Sequence, residues 1–293
     1  MLQCVKHLPS RNKPPVMEII TLQSISLSSL TSAFNRGFSD YAIKFQFTDE
    51  DFQKKIISEN IIQEYSVGAF EHGELIAFIL HGLEDIDGQK RVFNAGTGVA
   101  PKYRGQRIVE KLYNYILPVL KNKGYRHHQL EVLDGNDKAE KIYAKVGFLR
   151  SRHVISFSGT VAQYSDTNIE IKEVRSLDWT VVKTFCNVEP TWQNSFSAIQ
   201  RTIDHYTIVE AYYKNEFAGF AIYDPKTGRL RQFGVKKECR SKGIGKSLFA
   251  YAGGKIGQVS FTNYDMSDYN SIAFFTSLGL KSGNELIEMR LHY

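Results

Sequence analysis

Cysteine is scarce: Cys4, Cys186 and Cys239 are the only three in 293 residues. An odd number at such wide spacing excludes a disulfide framework and offers no paired zinc motif, so they read as free thiols in a reducing, cytoplasmic setting. Long hydrophobic runs are missing too. No stretch reaches the roughly 20 apolar residues of a membrane-spanning helix, and MLQCVKHLPSRNKPPV lacks the apolar centre of a signal peptide. Residues 1–16, closing on Pro14-Pro15, read as a leader outside the fold. Blocks of lysine and arginine are absent as well. The net charge of +6 is spread along the chain, which suits an anionic ligand or an acidic partner and gives no footprint for nucleic acid. His127-His128 has no partner at metal-ligand spacing, so no metal site is expected.

What is present is apolar matter in quantity. Hydrophobic residues make up 42% and charged residues 23%, a globular profile, and the length suits two domains. A repeat supports that division. GVAPKYRGQRIVEKL (98–112) aligns with GVKKECRSKGIGKSL (234–248), half a chain later, sharing Gly, Val, Arg, Ile and Leu. Upstream, SVGAFEHGELIAFIL and TIVEAYYKNEFAGFAIY each predict a β-hairpin, turning at His72-Gly73 and Lys214-Asn215. Downstream, EKIYAKVGF (140–148) matches IAFFTSLGL (272–280). Each half therefore reads as strand, helical region, hairpin, strand, helix, strand, helix, strand. Ile108, Leu112, Ile116 and Leu120 form a helical stripe that Gly124 ends. The polar connector SGTVAQYSDTN (158–168) separates domains expected at 17–160 and 169–293.

The stretch CRSKGIGKSL (239–248) stands where a strand hands over to a helix. A helix start offers unpaired N–H groups and about half a positive charge, and glycine removes the Cβ that would keep a diphosphate away. Gly243 and Gly245 would bare the backbone, Arg240 and Lys242 would add charge, and Ile244 would anchor the first turn.

Both halves resemble the GNAT superfamily of acyl-CoA-dependent N-acyltransferases. That family carries Q/R-x-x-G-x-G/A after a strand, then N-x-x-A-x-x-x-Y-x-x-x-G-F. The second half supplies the first element as Arg240, Gly243 and Gly245; the first half supplies the second as Asn136, Ala139, Tyr143, Gly147 and Phe148. The resemblance implies an α/β (α+β) fold of two tandem domains, each a mixed, twisted β-sheet flanked by helices. It also implies acetyl-CoA as cofactor. The pyrophosphate would lie on Arg240, Ser241, Lys242, Gly243, Ile244, Gly245 and Lys246, with the pantetheine arm along Gln232, Phe233, Gly234 and Val235. The corresponding first-half set is Val99, Arg104, Gly105, Gln106, Arg107 and Asn136. The halves depart in opposite ways: Arg107 and Val109 replace the two small residues in one, and Phe275 replaces the tyrosine in the other.

Acetyl transfer to an amine needs help with deprotonation, because an alkylammonium has a pKa near 10.4. By family position Tyr143 would protonate the departing thiolate; it also fits a core tyrosine on an amphipathic helix. Glu131 faces opposite to Leu130 and Val132, as a base in a cleft or as a solvated carboxylate. In the second half Tyr264, Asp265 or water would take the proton. Trp192, Gln193 and Asn194 fall where an acceptor pocket would form, or anchor a loop. The expectation is an acetyl-CoA-dependent N-acetyltransferase acting on a small-molecule or peptide amine, the second half holding the cofactor. Chemistry centred in the first half, and a CoA-binding or protein-interaction module without turnover, are the alternatives.

Overall fold

The structure, a computed structural model, describes residues 17–41, 46–86 and 88–293. The leader expected at residues 1–16, with Cys4, lies outside the described residues. In the first half the elements are β1 (Glu18–Thr21), α1 (Leu27–Gly37), α2 (Asp49–Ser58), β2 (Val67–Glu71), β3 (Glu74–Ile86), β4 (Gln89–Val99), α3 (Ile108–Asn122), β5 (His127–Leu133), α4 (Asp137–Val146) and β6 (Leu149–Gly159). The second half gives β7 (Ile169–Val174), α5 (Trp179–Lys183), α6 (Phe196–Gln200), β8 (Thr207–Tyr213), β9 (Glu216–Tyr223), β10 (Arg229–Val235), α7 (Ile244–Ile256), β11 (Val259–Asp265), α8 (Tyr269–Ser277) and β12 (Lys281–His292).

Local chemistry accounts for most boundaries. His72-Gly73 and Lys214-Asn215 all have positive φ, the turn geometry that matches the twist of a two-residue hairpin. Side chains of Ser26, Thr48, Asn136 and Asp268 accept from first-turn amides of α1, α2, α4 and α8. The stripe Ile108, Leu112, Ile116 and Leu120 is buried along α3, and Gly124 follows with φ of 86°. β3 is apolar without alternation because both faces are covered: Ile76 and Ile79 pack under α3, whereas Phe78 and Leu80 join the cluster under α1 and α2.

One feature of the topology departs from the sequence layout. All strands form a single 12-stranded sheet in the order β1-β2-β3-β4-β5-β12-β6-β11-β10-β9-β8-β7. The closing strands are exchanged: β12, at the end of the second half, pairs with β5 and β6, while β6, at the end of the first, pairs with β11. The two repeats are thus stitched through their middles. Among the described residues no helix is long and apolar enough to cross a membrane.

A buried ion cluster sits on the exchanged strands. Glu288 on β12 is fully buried and accepts from Arg152 on β6, at 2.8 Å and 3.1 Å, and from Arg290 at 2.7 Å. Arg152 also reaches Asp265 on β11 at 2.9 Å. Removing one member of such a cluster strands the others without compensation. Arg152→Met is expected to lower unfolding free energy by about 3 kcal/mol in urea melts; an unchanged midpoint would show that the cluster does not hold the exchange.

Candidate functional site

In each half a parallel strand pair separates early. β10 pairs with β11 only at Arg229–Ser260 and Leu230–Phe261, and β4 pairs with β5 only from Arg91–His127 to Phe93–Gln129. The cause is a β-bulge at corresponding places, Arg231 in β10 and Ala95 in β4, where the register with the preceding strand skips a residue. A bulge bends its strand and ends regular pairing. Beyond it the two strands diverge as a wedge.

The wedge of the second half opens into a cleft of about 680 Å³. Its walls include Phe233, Gly234, Val235, Arg240, Ser241, Gly243, Ile244, Gly245 and Lys246. α7 has no side-chain N-cap, and its first intrahelical bond is from Ser247 N–H to Gly243 carbonyl, so the amides of Ile244, Gly245 and Lys246 lack a helical partner. The glycines answer to packing as well. Gly243 has φ of 84°, and a Cβ there would meet the Tyr164 hydroxyl at 2.5 Å; one at Gly245 would meet the Phe274 ring at 2.9 Å. The Arg240 guanidinium is directed to protein carbonyls, donating to Val235 at 3.2 Å and Phe185 at 3.2 Å. Lys242 is not on the cleft wall; its ammonium lies 5.2 Å from the Tyr213 ring centre. Free amides, Lys246 and a cleft running from the helix start to the wedge fit the diphosphate and pantetheine arm of acyl-CoA.

The first half keeps the backbone but not the opening. Arg107 occupies the left-handed conformation that Gly243 has in the second copy, with φ of 55°. Arg104 repeats the role of Arg240, donating to Val99 and Gly37 carbonyls, and adds a bidentate pair with Asp40. The cavity beside this half, about 820 Å³, is walled by Asn94–Thr97, Asn136 and Tyr143, but not by Val99, Arg104, Gly105, Gln106 or Arg107. It is also walled by second-half residues Gln193, Thr202, His205, Tyr206, Arg229 and Arg231. Asn136 caps α4.

The catalytic candidates line this central cavity together. Glu131 accepts from Asn263 Nδ2 at 2.6 Å and Gln193 Nε2 at 3.2 Å, and its Oε1 is buried with no partner. Burial and the neighbouring Glu288 carboxylate push its pKa up to about 7. The Tyr143 hydroxyl, near Thr97 and Asn94, is pushed up to about 12 by burial. Asn263 lines both cavities. In the cleft itself Tyr264 donates to Asp268 at 2.7 Å and is raised by burial, and the Cys186 thiol is pushed up to about 12, too high for a thiolate nucleophile.

The PTWQNS stretch divides. Gln193 faces the central cavity and Asn194 the cleft. Trp192 lines neither: it is 3% exposed, stacks on Phe93 with ring centres 5.4 Å apart, and donates to the Glu59 carbonyl at 2.9 Å, anchoring the second half in the core of the first. Asp265 is held by Arg152 and lowered, with backbone and side-chain bonds from Ser267 outweighing its burial. His127 Nδ1 lies 2.8 Å from His292 Nδ1, and the buried His128 is driven down to about 3. Asp134, His153 and Glu285 bring ligand atoms within 4.8 Å of one another, but all are exposed and outside both cavities. Sequence reading missed Arg229, Arg231 and Asn263. Two arginines at i and i+2 on the strand next to the wedge were the available signal.

Residues 27–148 and 169–280 each match the acetyltransferase (GNAT) family, and the chain belongs to it. Similar solved structures share the tandem fold. A putative acetyltransferase from Pyrococcus horikoshii is 12% identical, with a TM-score of 0.69 over 98% of this chain and 93% of its own. A tandem GNAT protein from the clavulanic acid biosynthesis pathway is 12% identical, at 0.70 over 94% and 98%. A glucosamine N-acetyltransferase region of a fungal multi-domain GH3 β-N-acetylglucosaminidase is 14% identical, at 0.74 over 96% of this chain and 38% of the longer one. No curated protein matches the sequence.

Because the folded Glu131 holds its proton up to about pH 7 and the unfolded one only to about 4.5, stability is full below the lower value and falls as pH rises through the window. Glu131→Gln is expected to raise the melting temperature well above pH 7 and to change it little near pH 4.5. Equal melting of the two proteins at the higher pH would mean the carboxylate ionises freely.

Proposed function

We propose that the protein is an acetyl-CoA-dependent N-acetyltransferase, with the cofactor in the second half and the acceptor amine, of a small molecule or peptide, in the central cavity. One observation carries this reading: the 680 Å³ cleft joins the free amides of α7 to the wedge between β10 and β11. Of the first-half cradle, Val99, Arg104, Gly105, Gln106 and Arg107 line neither cavity. Acetyl-CoA, when bound, supplies an activated acyl thioester.

The chain's own residues do the rest. Amides of Ile244, Gly245 and Lys246 with the Lys246 ammonium bind a diphosphate. The Phe233–Val235 segment guides the arm and offers backbone N–H groups to the acyl oxygen. Glu131, held by Asn263 and Gln193, takes a proton from the amine; a pKa of about 7 suits a base at neutral pH. Tyr264, protonated and oriented by Asp268, stands on the cleft wall as proton donor. The free thiols Cys186 and Cys239 suit a reducing, cytoplasmic compartment.

A second reading has support of its own, because Tyr143 and Glu131 line one cavity. It puts the proton donor, and the acyl group, in the first half. Calorimetry with coenzyme A separates the two. Lys246→Glu is expected to weaken binding about tenfold, equivalent to about 1.4 kcal/mol, and Arg107→Glu to leave it unchanged; the reverse pattern moves the cofactor to the first half. With acetyl-CoA and a panel of free amines, followed by thiol release, Tyr264→Phe should lower kcat about a hundredfold with little effect of Tyr143→Phe. Tight coenzyme binding without turnover of any amine would leave a binding module in place of an enzyme.

A further inference from the structure

The wall of the central cavity carries two guanidinium groups, Arg229 and Arg231, that no carboxylate among the described residues pairs with. Arg231 is 7% exposed, and Arg229, two residues before it on β10, is half-buried on the same cavity wall. Their protein contacts are neutral. Arg229 donates to Asn194 Oδ1 at 3.2 Å; Arg231 donates to the Gln193 carbonyl and lies 5.4 Å from the Tyr206 ring centre. Neither forms an ion pair among the described residues, and each Nε is buried with no partner. The nearby carboxylates are committed or distant: Glu59 pairs with Lys55 at 2.7 Å, Glu131 accepts from Asn263 and Gln193, and Asp224 accepts from turn amides.

Two guanidinium groups side by side in an enclosed wall repel each other and lose hydration, and a bound oxyanion relieves both effects. The unmet demand is concentrated there. Of the nine buried polar side-chain atoms without partners among the described residues, five belong to residues on this one cavity: Glu131, Gln193, Arg229, Arg231 and Thr262. A water-filled apolar groove would not gather them.

We propose that Arg229 and Arg231 form an oxyanion site in the central cavity, so that the acceptor carries a carboxylate or phosphate group in addition to its amine. The anion would sit on β10 and the amine would point toward Glu131 across the cavity. This deepens the reading of the cavity as the acceptor site and rests on it for the word acceptor; the oxyanion site itself rests only on the arginines.

Titration calorimetry with inorganic phosphate and, separately, with succinate, at constant ionic strength in chloride, tests the site without turnover. Saturable binding of at least one is expected, with the phosphate and carboxylate arms telling the two headgroups apart. Arg229→Gln and Arg231→Gln should each weaken the binding of succinate, or of phosphate once coenzyme A fills the α7 cleft, at least tenfold, and Lys246→Glu should leave the succinate binding unchanged. If a glutamine variant fails to fold, Arg229→Lys, which keeps the charge and loses the planar fork, should still weaken binding severalfold. No saturable heat from wild type with either anion overturns the proposal, as does succinate binding lost in Lys246→Glu and kept in the arginine variants. Anion binding without acetyl transfer would sink the enzyme reading and leave the site standing. Turnover of amines with no anion binding would do the opposite.

Discussion

Everything distinctive about this protein depends on two parallel strands that stop pairing almost as soon as they begin. The bulge at Arg231 turns β10 away from β11 after Leu230–Phe261, and three consequences follow. A strand edge in the middle of the sheet is left without a partner, which costs free energy unless a ligand or water meets its amides. The space between the strands becomes a cleft ending at the start of α7. The bulged residue itself is brought to the wall of a second cavity, beside Arg229. Ala95 makes the same bend in the first half, so the wedge belongs to the fold and its use depends on what surrounds it.

The two copies show how one backbone supports different outcomes. Arg107 and Gly243 share a left-handed conformation, which costs a residue with a Cβ roughly 1 kcal/mol that glycine avoids. The first half retains the shape at that cost. Arg104 and Arg240 tie the turn to the preceding strand in the same way. Beyond the turn the copies part. The Asn94 amide donates to Thr97 and Tyr113 hydroxyls, each at 2.7 Å, so a polar cluster occupies the region where the second half has an aromatic cluster, with Phe233 and Phe274 on the cleft wall and Phe249 and Phe275 buried behind them. An apolar aromatic wall suits a pantetheine arm; a satisfied polar cluster has less to gain from one.

Local signals were legible and long-range ones were not. His72-Gly73 and Lys214-Asn215 announced their turns because a two-residue hairpin restricts its residues to positive φ. The α3 stripe and the direction of Glu131, opposite to Leu130 and Val132, followed from periodicity alone. The exchange of β6 and β12 left no such mark. Both closing strands are amphipathic, and either could complete either half, so the choice lies in pairing between residues more than a hundred positions apart, as in Glu288 with Arg152. RLRQFGV also hid its meaning. Alternating arginines on a strand ordinarily face water, and here Gln193, Asn194 and Tyr206 hold them on the wall of a cavity that both halves line. The same distance effect explains Trp192, whose stacking partner Phe93 belongs to the other repeat.

The exchange gives the central cavity its composition. β5 brings Glu131, β11 brings Thr262 and Asn263, β12 brings Asn284 and Leu286, and β10 brings the two arginines. No single repeat owns these residues, because β12 is inserted where the first half would otherwise end. A carboxylate on one repeat can therefore be oriented by an amide on the other, as Asn263 holds Glu131 at 2.6 Å. Positioning across the seam is only as rigid as the seam itself, and there the buried Glu288, paired on the sheet opposite Glu131, has a double role. Its charge adds to burial, the larger cause, in raising the pKa of Glu131, while its bonds to Arg152 and Arg290 fix β12 between β5 and β6. The group that locks the strands together also acts on the carboxylate beside them, so the seam and the cavity draw on the same buried charge.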